Sequence, residues 1–193
     1  MGTPCLPDSS FKNMNFITID FETANYAADS ACAVGLVKCL GGEIVETKEF
    51  LIRPPTLFFS PFCVRIHGLT ARDVRDQPTF DELWRREIQE FLSDFPLAAH
   101  NAPFDRGVLH DTLSRYALTP PHVRWGCSLR MARNLLGSSS AYRQPNFRLN
   151  SVAAHFGITF RHHNALEDSM AVAKILIKFE EMVGQEAFRR FFR

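Results

Sequence analysis

Asp20 and Glu22 stand two residues apart in Phe16-Ile-Thr-Ile-Asp-Phe-Glu22, a β-branched and aromatic run that reads as a strand. Side chains two apart on a strand share a face, about 7 Å apart along the backbone. Two carboxylates aimed the same way repel each other unless a positive charge lies between them, and a hard divalent cation is a simple solution. The pair alone leaves two other readings open: a strand that has ended with both acids in water, and the acid pair of a glycosidase. Asp105, in His100-Asn-Ala-Pro-Phe-Asp105, falls in a first helical turn if Asn101 is the cap. The helix dipole favours an acid there, so a surface aspartate is the alternative to a ligand. The third element is His163-Asn-Ala-Leu-Glu-Asp168, where Asn164 and Glu167 resemble a capping box. A helix starting at Asn164 leaves His163 in the loop and puts Asp168 in the first turns. Were both helical, five residues would set them about 140° apart, so a shared site needs the histidine on the loop. A swinging imidazole and a fixed carboxylate suit a base and a metal ligand. His162 is equally placed on spacing alone, and an exposed loop imidazole is the alternative for either.

The elements that must position these groups follow a clear order. After a loose leader, residues 1–14, the first strand is followed by strands over Cys32–Leu40 and Glu43–Ile52, joined by Gly41-Gly42 as a tight hairpin. Pro54, Pro55 and Pro61 make residues 53–68 an irregular surface loop. Thr79-Phe-Asp-Glu82 fits a capping box that opens a helix to about Ser93. A short strand over Leu97–His100 leads to the helix capped by Asn101, running to about Tyr116. A strand over Val123–Gly126, a helix to about Leu136 and a polar stretch 137–146 come next. A short helix over Leu149–Phe156 closes at Gly157, and a long one runs from Asn164 to Gly184. Three antiparallel strands followed by alternating helices and strands predict an α/β fold with one mixed sheet flanked by helices.

Bulk properties narrow the setting. A chain of 193 residues, 46% hydrophobic and 22% charged, is an ordinary globular domain. Its net charge of +1 argues against a broad electrostatic coat for duplex DNA, and leaves room for a local basic rim around a cleft. Five scattered cysteines without a C-x-x-C pair argue against a disulfide framework or zinc site, so the expected compartment is a reducing cytoplasm. Neither a transmembrane-length apolar run nor a secretory pattern is present.

Taken in order, D-x-E on the first strand, H-N-x-x-F-D, and H-x-A-x-x-D before the last helix resemble the DEDDh exonucleases of the DnaQ-like superfamily. Ile66-His-Gly-Leu-Thr70 and Phe147-Arg-Leu-Asn-Ser-Val152 look like that family's linking segments. A sister subgroup has Tyr four residues before the last Asp, where this chain has Asn164. The resemblance implies an RNase H-like mixed five-stranded sheet and a 3′→5′ exonuclease domain over residues 15–184. It implies two divalent cations, Mg²⁺ or Mn²⁺: Asp20, Glu22 and Asp168 around one, Asp20 and Asp105 around the other. His163 would be the general base and a nucleoside 5′-monophosphate the product. Thr23, His67 and Asn101 are the implied substrate-side residues.

The expected partners are DNA or RNA 3′ ends, with DNA favoured, in replication, repair or CRISPR adaptation. Trimming of RNA or small oligonucleotides and a non-catalytic nucleic-acid-binding module are the competing functions. The tail, residues 185–193, contains Gln185-Glu-Ala-Phe-Arg-Arg-Phe-Phe192, whose spacing resembles a sliding-clamp-binding peptide. Helical spacing of Phe188, Phe191 and Phe192 favours packing back on the domain instead.

Overall fold

The computed structural model describes residues 13–193. β1 (Phe16–Thr23), β2 (Ala31–Leu40) and β3 (Glu43–Leu51) form an antiparallel meander. β4 (Leu97–Ala99) and β5 (Trp125–Cys127) extend it in parallel from β1, giving the order β3-β2-β1-β4-β5. This is the mixed, helix-flanked α/β sheet that the element order predicts.

Strand alternation divides β1 between two cores. Ile17, Ile19 and Phe21 enter one core, with α3 (Phe80–Leu83), a π-helical turn (Trp84–Ile88), α4 (Gln89–Leu92) and α5 (Pro103–Arg115). Phe16 enters the other, with α6 (Ser128–Leu136), α7 (Leu149–His155), α8 (Ala165–Val183) and α9 (Gln185–Arg189). Thr18 shares the face of Phe16, and its hydroxyl lies 2.9 Å from both the carbonyl and the hydroxyl oxygen of Ser169 on α8. Period two carries Asp20 and Glu22 onto this same face, toward the start of α8.

Gly35 of β2, paired with Asp20, sets how closely α8 approaches the sheet. A Cβ there would stand 2.2 Å from the Ala165 carbonyl oxygen. Gly35→Ala therefore has to push the first turn of α8 outward, and with it Asp168. The expected cost is about 1–3 kcal/mol, the range for overpacking, together with loss of activity. Thermal melts and turnover check it, and a normal value of either contradicts the account.

Two local expectations change, and one element appears for which none was stated. Residues 53–68 are not all loop: Ser60 accepts from the Phe62 amide and Pro61 occupies the first turn, so α1 (Pro61–His67) forms and ends at left-handed Gly68. Proline in a first turn starts a helix rather than forbidding one. A further turn, α2 (Ala71–Val74), is boxed by Thr70 and Asp73. Asn101 is not a cap either. It adopts φ 69°, the N-cap position falls to Ala102, and no side-chain cap bond forms.

At the N-terminal side, residues 1–12 of the expected leader, Cys5 among them, lie outside the described residues. Met14 is buried and its amide donates to Glu180 Oε1 at 2.6 Å. At the C-terminal side, Phe188 and Phe192 are buried against Phe16, and Arg193 pairs its backbone with Trp125. The tail aromatics are thus core residues, which leaves the clamp-peptide resemblance without free anchors. Phe192→Ala should cost about 3–5 kcal/mol, as for other buried phenylalanines. A melting temperature within a degree or two of wild type would contradict that packing. No helix among the described residues is long and apolar enough to cross a membrane.

Candidate active site

Asp20 and Glu22 come to the end of β1, and Asp168 reaches them from the first turn of α8. One carboxylate oxygen of each lies within 4.8 Å of the others. The Asn164 side chain accepts from the Glu167 amide and starts α8, which fixes Asp168 and leaves His163 outside the helix at φ 68°. Asp105, buried in the first turn of α5, approaches from the other side of β1, where its Oδ1 accepts from the Phe21 amide at 3.1 Å. Three acids thus meet at the strand end and Asp105 stands beside them, a grouping that the spacing of each alone left open.

Such crowding has an electrostatic cost. Burial first, then Asp105, Asp168 and Glu22, push the Asp20 carboxyl well above the usual carboxylate range. Burial and Asp168 push Glu22 up to about 7. Burial, with Glu22 and Asp168, also raises Asp105, against the Phe21 hydrogen bond that lowers it. Among the described residues no lysine or arginine pairs with Asp20, Glu22, Asp105 or Asp168; the one ion-pair partner is His162. A hard oxygen donor set lacking a protein counter-charge fits a divalent cation.

The metal-free protein should therefore lose stability as pH rises. Unfolded glutamate ionises near 4.5, whereas Glu22 in the fold holds its proton to about 7. Between those values the folded state binds more protons at Glu22, and the raised Asp20 and Asp105 add to this and outweigh buried His100, whose lowered pKa acts in the opposite sense, so stability is greatest below the window and declines through it. Melts in chelator from pH 4 to 8 should show this fall, and added Mg²⁺ should flatten it. A rise over the same range would contradict the crowding.

The two histidines behave differently. His162 Nδ1 lies 2.8 Å from Asp168 Oδ1, and this hydrogen bond raises its pKa. The His163 amide donates to Asp168 Oδ2 at 3.0 Å, while no hydrogen bond engages its ring nitrogens among the described residues. The rings stack, with centroids 3.9 Å apart, and burial followed by His162 lowers the His163 pKa. Sequence spacing could not divide these roles.

The acids lie between two cavities. One, of about 570 Å³, holds Asp20, Glu22 and Asp168 with both histidines, Asn101, Arg133 and Arg148. The other, also about 570 Å³, is lined by Thr23, His67, Tyr26, Phe62, Ile66 and Phe104. His67 Nδ1 accepts from the Leu69 amide, so its Nε2 carries the proton and donates to the Thr23 carbonyl at 3.2 Å. The imidazole thus ties α1 to the end of β1. His100, given no role by spacing, lies between the Ser128 hydroxyl and the Phe147 carbonyl, at 2.8 and 3.1 Å. Burial lowers its pKa to about 4, and the neutral ring holds the 137–148 segment over the cleft.

An exonuclease family model, that of the RNase T type, matches residues 17–176. The chain belongs to the DEDDh exonucleases of this family. A Mycobacterium tuberculosis protein provisionally named a bifunctional exonuclease/endonuclease is 31% identical over 95% of this chain and 29% of its own length. The PolC-type DNA polymerase III of Thermotoga maritima is 31% identical over 91% of the chain and 12% of its own. The chain thus spans under a third of these relatives. Exonuclease X, solved with 5′-overhanging duplex DNA, shares the fold at a TM-score of 0.69 and 24% identity, over 87% of this chain and 92% of that one. Membership in the DEDDh exonucleases implies divalent metal ions.

Proposed function

We propose that the protein is a 3′→5′ exonuclease that releases nucleoside 5′-monophosphates from single-stranded or frayed ends, with DNA favoured over RNA. The observation that carries this is the convergence of Asp20, Glu22 and Asp168, beside Asp105, under a histidine with a free ring. Asp20, Glu22 and Asp168 would hold one cation, and Asp20 with Asp105 the second, Mg²⁺ or Mn²⁺ in each case. Two such ions stabilise the attacking and leaving oxygens of a phosphodiester displacement.

His163 takes the proton of the attacking water. Its lowered pKa keeps the imidazole neutral at pH 7, as a base must be. His162 is less suited, since Asp168 already occupies its Nδ1. Thr23 and His67 present the terminal sugar to the acids, and the aromatic cavity beside them takes the terminal base. Asn101, held left-handed between β4 and α5, orients the backbone on the opposite wall. The PolC-type relative, whose name is that of a DNA polymerase, supports the preference for DNA.

The test is digestion of a 5′-labelled single strand with Mg²⁺. The expected result is a ladder that shortens by single nucleotides and yields nucleoside 5′-monophosphates, faster on DNA than on RNA of the same sequence. Internal fragments or 3′-monophosphates would overturn the reading.

A further inference from the structure

Charge is unevenly distributed along this chain. Residues 112–166 contain seven arginines and no aspartate, glutamate or lysine, although the whole chain carries a net charge of only +1. The fold gathers part of this acid-free stretch at the β5 edge. There two adjoining depressions of about 430 Å³ each share Arg106, His110, Trp125 and Arg193. Arg130 lines one, and His122 and Arg124 line the other. Neither has a carboxylate side chain in its wall. His110 meets the neighbouring Asp111 at 3.0 Å, but Arg106, Arg124 and Arg130 form no ion pair among the described residues.

α6 joins this groove to the acid cleft. Arg130 lies in the groove and Arg133 in the cleft. Residues three apart on a helix are surface neighbours, so the two guanidinium groups leave one helix face. The Asn101–Pro103 turn makes the same connection, with Asn101 in the cleft and Ala102 and Pro103 in the groove. A cationic path therefore leads from the acids past Arg133, across Arg130, to Arg106 and Arg124.

We infer that this path is a sequence-independent binding track for the phosphodiester backbone of the strand whose 3′ end is being cleaved, upstream of the scissile bond. The inference rests on the exonuclease reading and adds where the uncleaved strand runs. Arg106 on α5, Arg124 just before β5 and Arg130 on α6 line these depressions without an ion-pair partner among the described residues, and each can neutralise one phosphate. No base-reading geometry is needed, because phosphate contacts position a strand without reading its sequence. Trp125, half-buried between them, adds an aromatic surface that any base can meet.

The test uses the full chain with Arg106→Ala, Arg124→Ala and Arg130→Ala combined. Binding of single-stranded DNA of 3 and 20 nucleotides is measured in chelator across a salt series. Cleavage of both lengths is measured with Mg²⁺. The wild type should show a steeper log–log salt dependence for the 20-mer than for the 3-mer. The triple variant should lose about 2 from the 20-mer slope, near 0.7 for each of three phosphates, and leave the 3-mer slope unchanged. Its kcat/KM should fall roughly tenfold or more on the 20-mer at moderate salt and stay within about twofold on the 3-mer. An unchanged 20-mer slope, or equal losses on both lengths, would overturn the track. A wild type that cleaves neither length would instead defeat the exonuclease reading, and the binding slopes would still decide the track.

Discussion

Asp20→Asn should reduce strand cleavage by roughly 10³-fold or more while the folded domain persists. Asp20 feels the charge of every other acid: its carboxyl group is raised by Asp105, Asp168 and Glu22 together, beyond the effect of burial. An amide there removes the negative charge that both proposed cation positions would share. Several kcal/mol of charge stabilisation are lost with the ions, and each 1.36 kcal/mol is a factor of ten in rate. The fold should not suffer, because Asp20 makes no hydrogen bond with its side chain among the described residues, and α8 is anchored through Thr18, Ser169 and Gly35 instead. Relief of the repulsion should raise the melting temperature in chelator. Single-turnover cleavage and melts measure both effects. Near-normal turnover would mean that another residue bridges the cations.

The second large effect concerns the histidine pair. His163→Ala should lower turnover by about 10²–10⁴, the range for a lost general base, and His162→Ala should do much less. The pH profile separates a base from a structural residue. In the proposed role His163 acts as the neutral imidazole, so activity should fall as pH drops through a value below the ordinary histidine 6.5, in line with the burial that lowers its pKa. That acid limb should vanish in His163→Ala and persist in His162→Ala. The reverse ranking would assign the base to His162 and make its bond to Asp168 the catalytic contact.

The parts of this site that follow a local period were legible in the sequence. D-x-E shares a face because strands alternate, and Asn164 fixes Asp168 because one side chain can satisfy the first amides of a helix. Where local rules competed, the sequence misled. Asn101 has the right residue type for a cap, yet the chain uses it for a left-handed turn that aims α5 and Asp105 at β1. The prolines of residues 53–68 read as loop, but one of them begins α1, which carries His67. Groups assembled only by tertiary packing left no signal. His100 earns its position from Ser128 and Phe147, residues 28 and 47 positions away. Helical spacing did signal that the tail phenylalanines pack back on the domain, though not that they do so against Phe16 and in the space above Gly126. The division of labour between His162 and His163 turns on one hydrogen bond that spacing cannot reveal.

The central claim is that the four carboxylates act by holding divalent cations. Its most direct test is cleavage of a labelled single strand by metal-stripped protein, before and after defined ions are returned. Cleavage should be absent in chelator and restored by Mg²⁺ or Mn²⁺. Ca²⁺ should restore it poorly, since its looser coordination does not hold the displacement geometry. Full cleavage by thoroughly stripped protein would contradict the account.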